Sequence, residues 1–237
     1  AAHQQGDCAS PALWVVRDAD TTIHLFGTLH LLPADVRWFE GAVRAAFDAS
    51  AEVALEVVLP APEQAQGVLL RRALAPGAGP MATRLHGKAR DAYGPTLAGL
   101  GVPADAFDPF QTWFAAVTLT TLAAQRAGFE VAHGPETVLT RAAAAAGKPL
   151  LGIETFDEQL ALLASLPEPV QRRFLAATIE QLPEAPATLA TMRDAWRSGD
   201  VDTLDGVMRK GLAGLPEATD VLMTQRNVRW ARWIAER

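Results

Sequence analysis

Short runs of apolar residues in the first quarter of the chain predict β-strands rather than helices. Two runs rich in β-branched and aromatic residues flank Asp18-Ala19-Asp20, which predicts a β-hairpin. A third run, residues 51–59, is almost continuously apolar, so we expect a central strand that is covered on both faces. The predicted strands are residues 13–17, 21–26, 51–59, 129–132 and 148–153.

Helical periodicity dominates the remainder of the chain. Pro135 suits the first turn of a helix that stops at Gly147, and Thr155 with Glu158 has the spacing of a capping box. The predicted helices are residues 38–49, several segments between 63 and 127, 135–146, a segment after Thr155, 168–181, 185–198, 201–210 and 217–236. The alternation of strands and helices predicts an α/β fold with a mixed central sheet, flanking helices and a helical lobe, in one domain spanning residues 1–237.

The composition is that of a globular protein with an acidic balance. The 237 residues are 49% hydrophobic and the formal net charge is −6. Because no cluster of Lys and Arg stands out, we expect neither nucleic acid nor an anionic membrane surface as the main partner. No apolar run is long enough to span a bilayer, so we expect no integral membrane segment.

The N-terminal region is polar and carries Cys8, the single cysteine. A lone cysteine excludes an internal disulfide and a cysteine metal site; it is either an unimportant thiol or a link to a second chain or a missing segment. Residues 1–5 read Ala-Ala-His-Gln-Gln without an initiator Met. This start is consistent with signal-peptide removal or with a truncated clone.

A histidine follows the second strand of the hairpin, in Leu25-Phe26-Gly27-Thr28-Leu29-His30. We expect Gly27 to permit a sharp turn that leaves the imidazole of His30 facing a cleft. Histidine is suited to metal ligation and to proton transfer near neutral pH. The case for function therefore depends on which other residues converge on His30.

Two glutamates do not fit their apolar surroundings. Glu56 interrupts the apolar run 51–59, where an ionised carboxylate needs a partner, a proton or a metal; the alternative is a sheet-edge residue facing water. Glu154 ends the strand 148–153, and is either a functional carboxylate at the strand's mouth or an ordinary first-turn glutamate favoured by the helix dipole.

An arginine lies on the apolar face of the last predicted helix. Arg226 shares that face with Leu222, Trp230 and Trp233, so its guanidinium should find a carboxylate or a ligand. The sequence is equally compatible with a structural salt bridge and with a functional role for Arg226. If His30, Glu56, Glu154 and Arg226 meet, they suit a hydrolase, because His and Glu can bind a divalent metal or activate water and Arg can stabilise an oxyanion.

Four segments of the sequence resemble the TraB/GumN family, which includes the TIKI metalloproteases that cleave Wnt. They are residues 12–33 with Gly27-Thr28-Leu29-His30, the strand with Glu56, Gly147-Lys148-Pro149 to Glu154-Thr155, and Arg226-Asn227. The resemblance implies an α/β fold with the polar cluster at strand ends. It also implies a peptidase dependent on Mn²⁺ or Co²⁺, with Zn²⁺ as the alternative metal.

The same resemblance implies a site and a location. The catalytic set would be His30, Glu56, Glu154 and Arg226, with His30, Glu56 and Glu154 as metal ligands and a peptide or protein as substrate. Bacterial members commonly carry export signals, so a periplasmic or secreted protein is expected.

The sequence also departs from the family pattern. The family has a second Gly-x-x-His after the Arg-Asn helix, which is not found before Arg237, so we expect further chain or a strand supplied from elsewhere. Gly134-Pro135-Glu136 differs from the usual Gly-hydrophobic-Asp, so no role is carried over to Glu136.

Two other functions stay open at this point. One is a non-catalytic protein that binds or sequesters a peptide or small ligand, with the polar cluster serving structure. The weaker one is a protein that handles haem or metal.

Overall fold

Two short β-sheets and a larger set of helices make up the part of the chain that the computed structural model describes, residues 8–237. Residues 1–5, on which the expectation of a processed N-terminus rests, lie outside this range. The mixed α/β class is confirmed. The large central sheet is not: within residues 8–237 the strands form two separate pairs.

The first pair is the predicted hairpin of β1 (Leu13–Arg17) and β2 (Thr22–Phe26), which run antiparallel with Leu13 opposite Phe26. The second pair is parallel and joins β3 (Val53–Val57) to β4 (Leu150–Glu154), with Val57 opposite Glu154. Because parallel strands end at the same edge, Glu56 and Glu154 both lie near one end of this pair.

The strand predicted at residues 51–59 is shorter and less covered than expected. It stops at Val57, and the exposed fractions of Val58 and Leu59 are 38% and 65%. The prediction of a central, doubly covered strand was therefore wrong, because within residues 8–237 this strand pairs only with β4.

The helices follow the predicted order closely. Their bounds are α1 Gly41–Ala49, α2 Pro62–Ala73, α3 Met81–Arg84, α4 Gly87–Gly99, α5 Thr112–Arg126, α6 Pro135–Ala146, α7 Phe156–Ala164, α8 Glu168–Gln181, α9 Ala185–Ser198, α10 Val201–Gly211, α11 Pro216–Thr219 and α12 Gln225–Ala235. The structure confirms Pro135 in the first turn of α6, the left-handed stop at Gly147 and the capping box of Thr155 and Glu158. Residues 129–132 were wrongly predicted as a strand; Val131–His133 is a short 3-10 turn.

The last predicted helix is not α-helical along its whole length. A π-helical turn, Asp220–Thr224, separates α11 from α12. The side chain of Gln225 donates a 2.7 Å hydrogen bond to Asp220 across this turn. Such turns in the middle of a helix often occur at functional sites, and this one ends two residues before Arg226.

Four clusters of buried apolar side chains hold the described elements together, and two of them are the largest. One lies among α3, α4, α5 and α8, around Leu119 and Leu175. The other joins both sheets to α1, α6 and α9, around Leu32, Leu55 and Trp196. No helix within residues 8–237 has the length and apolar character needed to cross a lipid bilayer.

Candidate functional site

The structure brings His30, Glu56, Arg226 and Glu154 together, although they come from a loop, two strands and the last helix. Nε2 of His30 lies 4.0 Å from Oε2 of Glu56, and Nη2 of Arg226 donates to Oε1 of Glu56. The same Nη2 donates to Oε2 of Glu154 at 2.8 Å. The expected spatial cluster therefore exists, whereas the chemical roles of its members stay predictions.

The loop that carries His30 is fixed at several points. The indole of Trp196 donates to the carbonyl of Gly27 at 2.8 Å, and Leu32 exchanges two backbone hydrogen bonds with Glu130. The turn itself differs from the expectation, because Gly27 does not adopt a positive φ. His30 is therefore held in its place in the loop after β2 by tertiary contacts, and not by the conformational freedom of glycine.

Glu154 is the most buried member of the cluster, with 6% of its surface exposed. Its two oxygens accept from Nε and Nη2 of Arg226 at 2.8–3.2 Å, from Arg229 at 2.7 Å and from the indole of Trp230 at 3.1 Å. Burial disfavours ionisation, but the hydrogen bonds from Arg226 and Arg229 outweigh it and hold the pKa of Glu154 below its ordinary value. Because both carboxylate oxygens accept hydrogen bonds from N–H groups, Glu154 anchors the guanidinium of Arg226.

Arg226 is held by both glutamates and by an aromatic ring. Its guanidinium carbon lies 4.7 Å from the ring centroid of Trp230. Burial works against its charge, but the hydrogen bonds to Glu154 and Glu56 raise the pKa of Arg226 above its ordinary value. Within residues 8–237, its Nη1 makes one hydrogen bond, 3.4 Å to the carbonyl of Leu222, which leaves the second N–H of that nitrogen without a partner.

A comparison with protein-family models identifies the family of this chain. The model of the TraB/PrgY/gumN family matches residues 12–237, nearly the whole sequence. The chain is a member of the TraB/PrgY/gumN family. Comparisons with curated proteins and with solved structures gave no match.

One residue of this family member to which the family resemblance gave no role lies in the cluster. Oε1 of Glu136, in the first turn of α6, is 3.0 Å from Nδ1 of His30 and accepts the hydroxyl of Thr28 at 2.5 Å. Since an ionised carboxylate only accepts, Nδ1 of His30 donates the shared proton, and in the neutral imidazole the lone pair is on Nε2, facing Glu56. The hydrogen bond to Glu136 raises the pKa of His30 above its ordinary value.

Close backbone packing explains how Glu136 reaches His30. A Cβ on Gly134 would lie 2.1 Å from the carbonyl oxygen of His30, so only glycine fits at this contact. Residues 134–136 differ from the family pattern, but they keep its glycine, and Glu136 supplies a carboxylate where the pattern has Asp. A first-turn glutamate is common in helices, which is why the sequence alone did not single out Glu136.

Glu56 has a further partner that was not predicted. The amide of Gln159, on α7, donates to Oε1 of Glu56 at 2.5 Å. Oε1 of Glu56 therefore accepts hydrogen bonds from both Gln159 and Arg226, and Oε2 is directed towards His30. The four-residue prediction lacked Glu136, Thr28 and Gln159, which all act on the orientation of His30 or Glu56.

The donor atoms show how well this site fits a metal. Within residues 8–237, no group of three or more His, Cys, Asp or Glu side chains is arranged to hold a metal ion. Nε2 of His30 and Oε2 of Glu56 make no hydrogen bond in that range, and their 4.0 Å separation is too long for one. An imidazole nitrogen and a carboxylate oxygen are ordinary ligands of divalent transition metals, so these two atoms fit a cation, whereas the occupied oxygens of Glu154 do not.

Proposed function

We propose that this TraB/PrgY/gumN family member is a hydrolase that cleaves peptide bonds with the help of a divalent cation, Mn²⁺ or Co²⁺ and alternatively Zn²⁺. The observation that carries the proposal is the pair of free donor atoms on His30 and Glu56, which lies beside the charged and partly free guanidinium of Arg226. As part of the same proposal, the protein acts in the periplasm or after secretion.

In this proposal His30 and Glu56 hold the cation. A bound divalent cation would act as a Lewis acid on the carbonyl of the scissile bond. Glu136 keeps the proton of His30 on Nδ1 and fixes the ring, as carboxylates that support metal-binding histidines do. Gln159 fixes Glu56 in the same manner, through the oxygen that does not face His30.

Arg226 supplies positive charge for the step that develops negative charge on the substrate. Glu154 and Trp230 orient its guanidinium, and Nη1 is the N–H group with room for a substrate oxygen. A fixed cation in a half-buried site stabilises an oxyanion without reorganising. Lysine cannot reproduce the contact to both glutamates, because it lacks the planar fork.

Metal titration tests the first half of the proposal. We expect calorimetry with Mn²⁺, Co²⁺ and Zn²⁺ to show binding that weakens at least tenfold in His30→Ala. His86 is an exposed histidine at the start of α4, and His86→Ala should bind like the wild type. Equal affinities in the wild type and in His30→Ala would contradict a cation on His30.

Peptide cleavage tests the second half. Incubation with a mixed peptide library should give new termini, detected by mass spectrometry, only when the metal is present. Arg226→Lys should lower kcat by roughly a hundredfold with a smaller change in KM, as expected for a lost oxyanion donor. The absence of cleavage under every metal condition would refute the hydrolase.

A binding protein is the second candidate, and one observation favours it. Within residues 8–237 the cluster offers two free metal donors, and most of its other polar atoms are paired with each other. Such a network can be structural and leave a neighbouring groove to hold a ligand. Saturable peptide binding without product, in the presence and absence of metal, would support this alternative.

A further inference from the structure

A groove of about 510 Å³ opens directly beside the polar cluster. It lies between α7 and α12, and the end of β4 contributes Ile153 and Glu154. Its apolar surface comes from Ile153, Leu162, Trp230 and Trp233. The volume is within the range of pockets that take small molecules or single peptide side chains.

Trp230 is shared by the groove and the cluster. Its indole N–H donates to Glu154 at 3.1 Å, and the guanidinium of Arg226 lies over its ring. Trp230 therefore forms a positioned wall of the groove. A ligand that packs against this wall also lies beside Glu154, which lines the same groove.

The charges around the groove largely cancel. Arg229 is paired with Glu154, and Oε2 of Glu158 accepts the backbone N–H and hydroxyl of Thr155 at 2.7 and 2.8 Å. Within residues 8–237, the side chains of Arg232 and Glu236 have no hydrogen-bond or ion-pair partner, and they carry opposite charges. The lining therefore holds three carboxylates and two guanidinium groups, an excess of one formal negative charge, so its indoles and aliphatic side chains contribute most to what it binds.

We propose that the groove is a substrate subsite that takes a large apolar side chain, preferably aromatic, of the peptide cleaved at the cluster. The proposal rests on the proposed function and names the substrate class of that site. Two indoles give the shape and the aromatic surface that a Phe, Tyr or Trp side chain packs against best. Trp233 is the specificity-determining residue, since it lines the groove without bonding to the cluster.

Direct binding separates this inference from catalysis. The probes are two dye-labelled peptides, Ala-Ala-Phe-Ala-Ala and Ala-Ala-Ser-Ala-Ala with blocked ends, measured by fluorescence anisotropy. We expect the Phe peptide to bind at least tenfold more tightly to the wild type. Trp233→Ala should remove most of that difference and Trp233→Phe should restore part of it.

Matched variants control for folding and for general apolar effects. Ala161→Phe, which fills the groove from α7, should also abolish the preference for the Phe peptide. Val228, half exposed on α12 and outside the groove, provides the control Val228→Ala, which should bind both peptides like the wild type. Circular dichroism verifies that each variant is folded.

The outcomes distinguish the subsite from the hydrolase. If His30→Ala retains the preference for Phe but no preparation cleaves any peptide, the groove is upheld and the hydrolase fails. If peptides are cleaved but kcat/KM is equal for Phe and Ser substrates and unchanged in Trp233→Ala, the subsite is refuted and the hydrolase stands. Sedimentation showing a dimer that Trp233→Ala dissociates would instead make the groove an interface between two copies, which also overturns the inference.

Discussion

His30 and Glu136 are 106 positions apart in the chain, and yet Nδ1 of the histidine lies 3.0 Å from Oε1 of the glutamate. The contact joins the loop after the hairpin to the first turn of α6. In the neutral imidazole it keeps the proton on Nδ1 and leaves the lone pair of Nε2 at the centre of the cluster.

Removing that carboxylate should change both the titration and the metal affinity of His30. In Glu136→Gln the hydrogen bond and the charge that raise the pKa of His30 weaken or disappear, so its pKa should fall. Histidine signals followed by NMR over a pH range measure this shift. Metal affinity should decrease by about 10–100-fold, as for other supporting carboxylates.

A surface pair provides the control for this variant. Oε2 of Glu130 lies 3.7 Å from Nε2 of His133 on the exposed 3-10 turn. Glu130→Gln removes a comparable charge near a different histidine, and should leave the pKa of His30 unchanged. An unaltered His30 titration in Glu136→Gln would show that the contact does not exist in solution.

The sequence predicted the parts of this site that conflict with their surroundings. Glu56 in an apolar strand and Arg226 on an apolar helix face were recognisable because burial of an unpaired charge is unfavourable. Glu136, Thr28 and Gln159 occupy ordinary positions for their residue types. Only the tertiary contacts show that they orient His30 and Glu56.

The fold was predictable to a similar extent. Where Pro or Gly marks a boundary, as at Pro135 and Gly147, the helix limits were correct, because these residues act through local geometry. Strand pairing depends on distant partners, so the separation of β1–β2 from β3–β4 was not readable from local patterns. The π turn at Asp220–Thr224 was missed because its hydrophobic pattern also suits a continuous α-helix.

The anchor Glu154 should make stability dependent on acid. Its folded pKa is lowered from 4.5, so its ionised form stabilises the native state above that pH. This contribution should be lost progressively as the pH falls below about 4.5 and through the lower folded pKa. Urea unfolding between pH 7 and pH 3 measures the effect as a free energy of unfolding.

The variant Glu154→Gln isolates this contribution. It should destabilise the protein by about 1–3 kcal/mol at pH 7, because Arg226 loses the charge of Glu154 but keeps its ion pair with Glu56, and the difference from wild type should shrink as the pH falls. Glu180, exposed at the end of α8 without a side-chain partner within residues 8–237, gives the control Glu180→Gln. A constant difference between pH 7 and pH 3 would contradict the assigned role of the Glu154 charge.

The close approach at Gly134 makes a steric prediction. The Cβ of Gly134→Ala would meet the carbonyl oxygen of His30 at 2.1 Å, so the loop or the start of α6 has to move. We expect a loss of about 1–3 kcal/mol in the free energy of unfolding, together with a weaker His30–Glu136 contact. In Gly206→Ala, inside α10, the Cβ meets nothing within 4 Å, and this variant should be neutral or slightly stabilising.

Lys148 has a structural role that can be measured independently of any activity. Its Nζ donates to the carbonyl of Phe47 at 2.9 Å, to that of Asp48 at 3.2 Å and to that of Ser50, and so satisfies the C-terminal end of α1. Lys148→Met keeps most of the apolar stem and removes the donors, and should lower the free energy of unfolding by about 1–2 kcal/mol. The exposed Lys88 on α4 supplies the control Lys88→Met, which should change stability by less than about 0.5 kcal/mol. Equal unfolding midpoints for the two variants would mean that the carbonyls at the end of α1 are satisfied equally well by water.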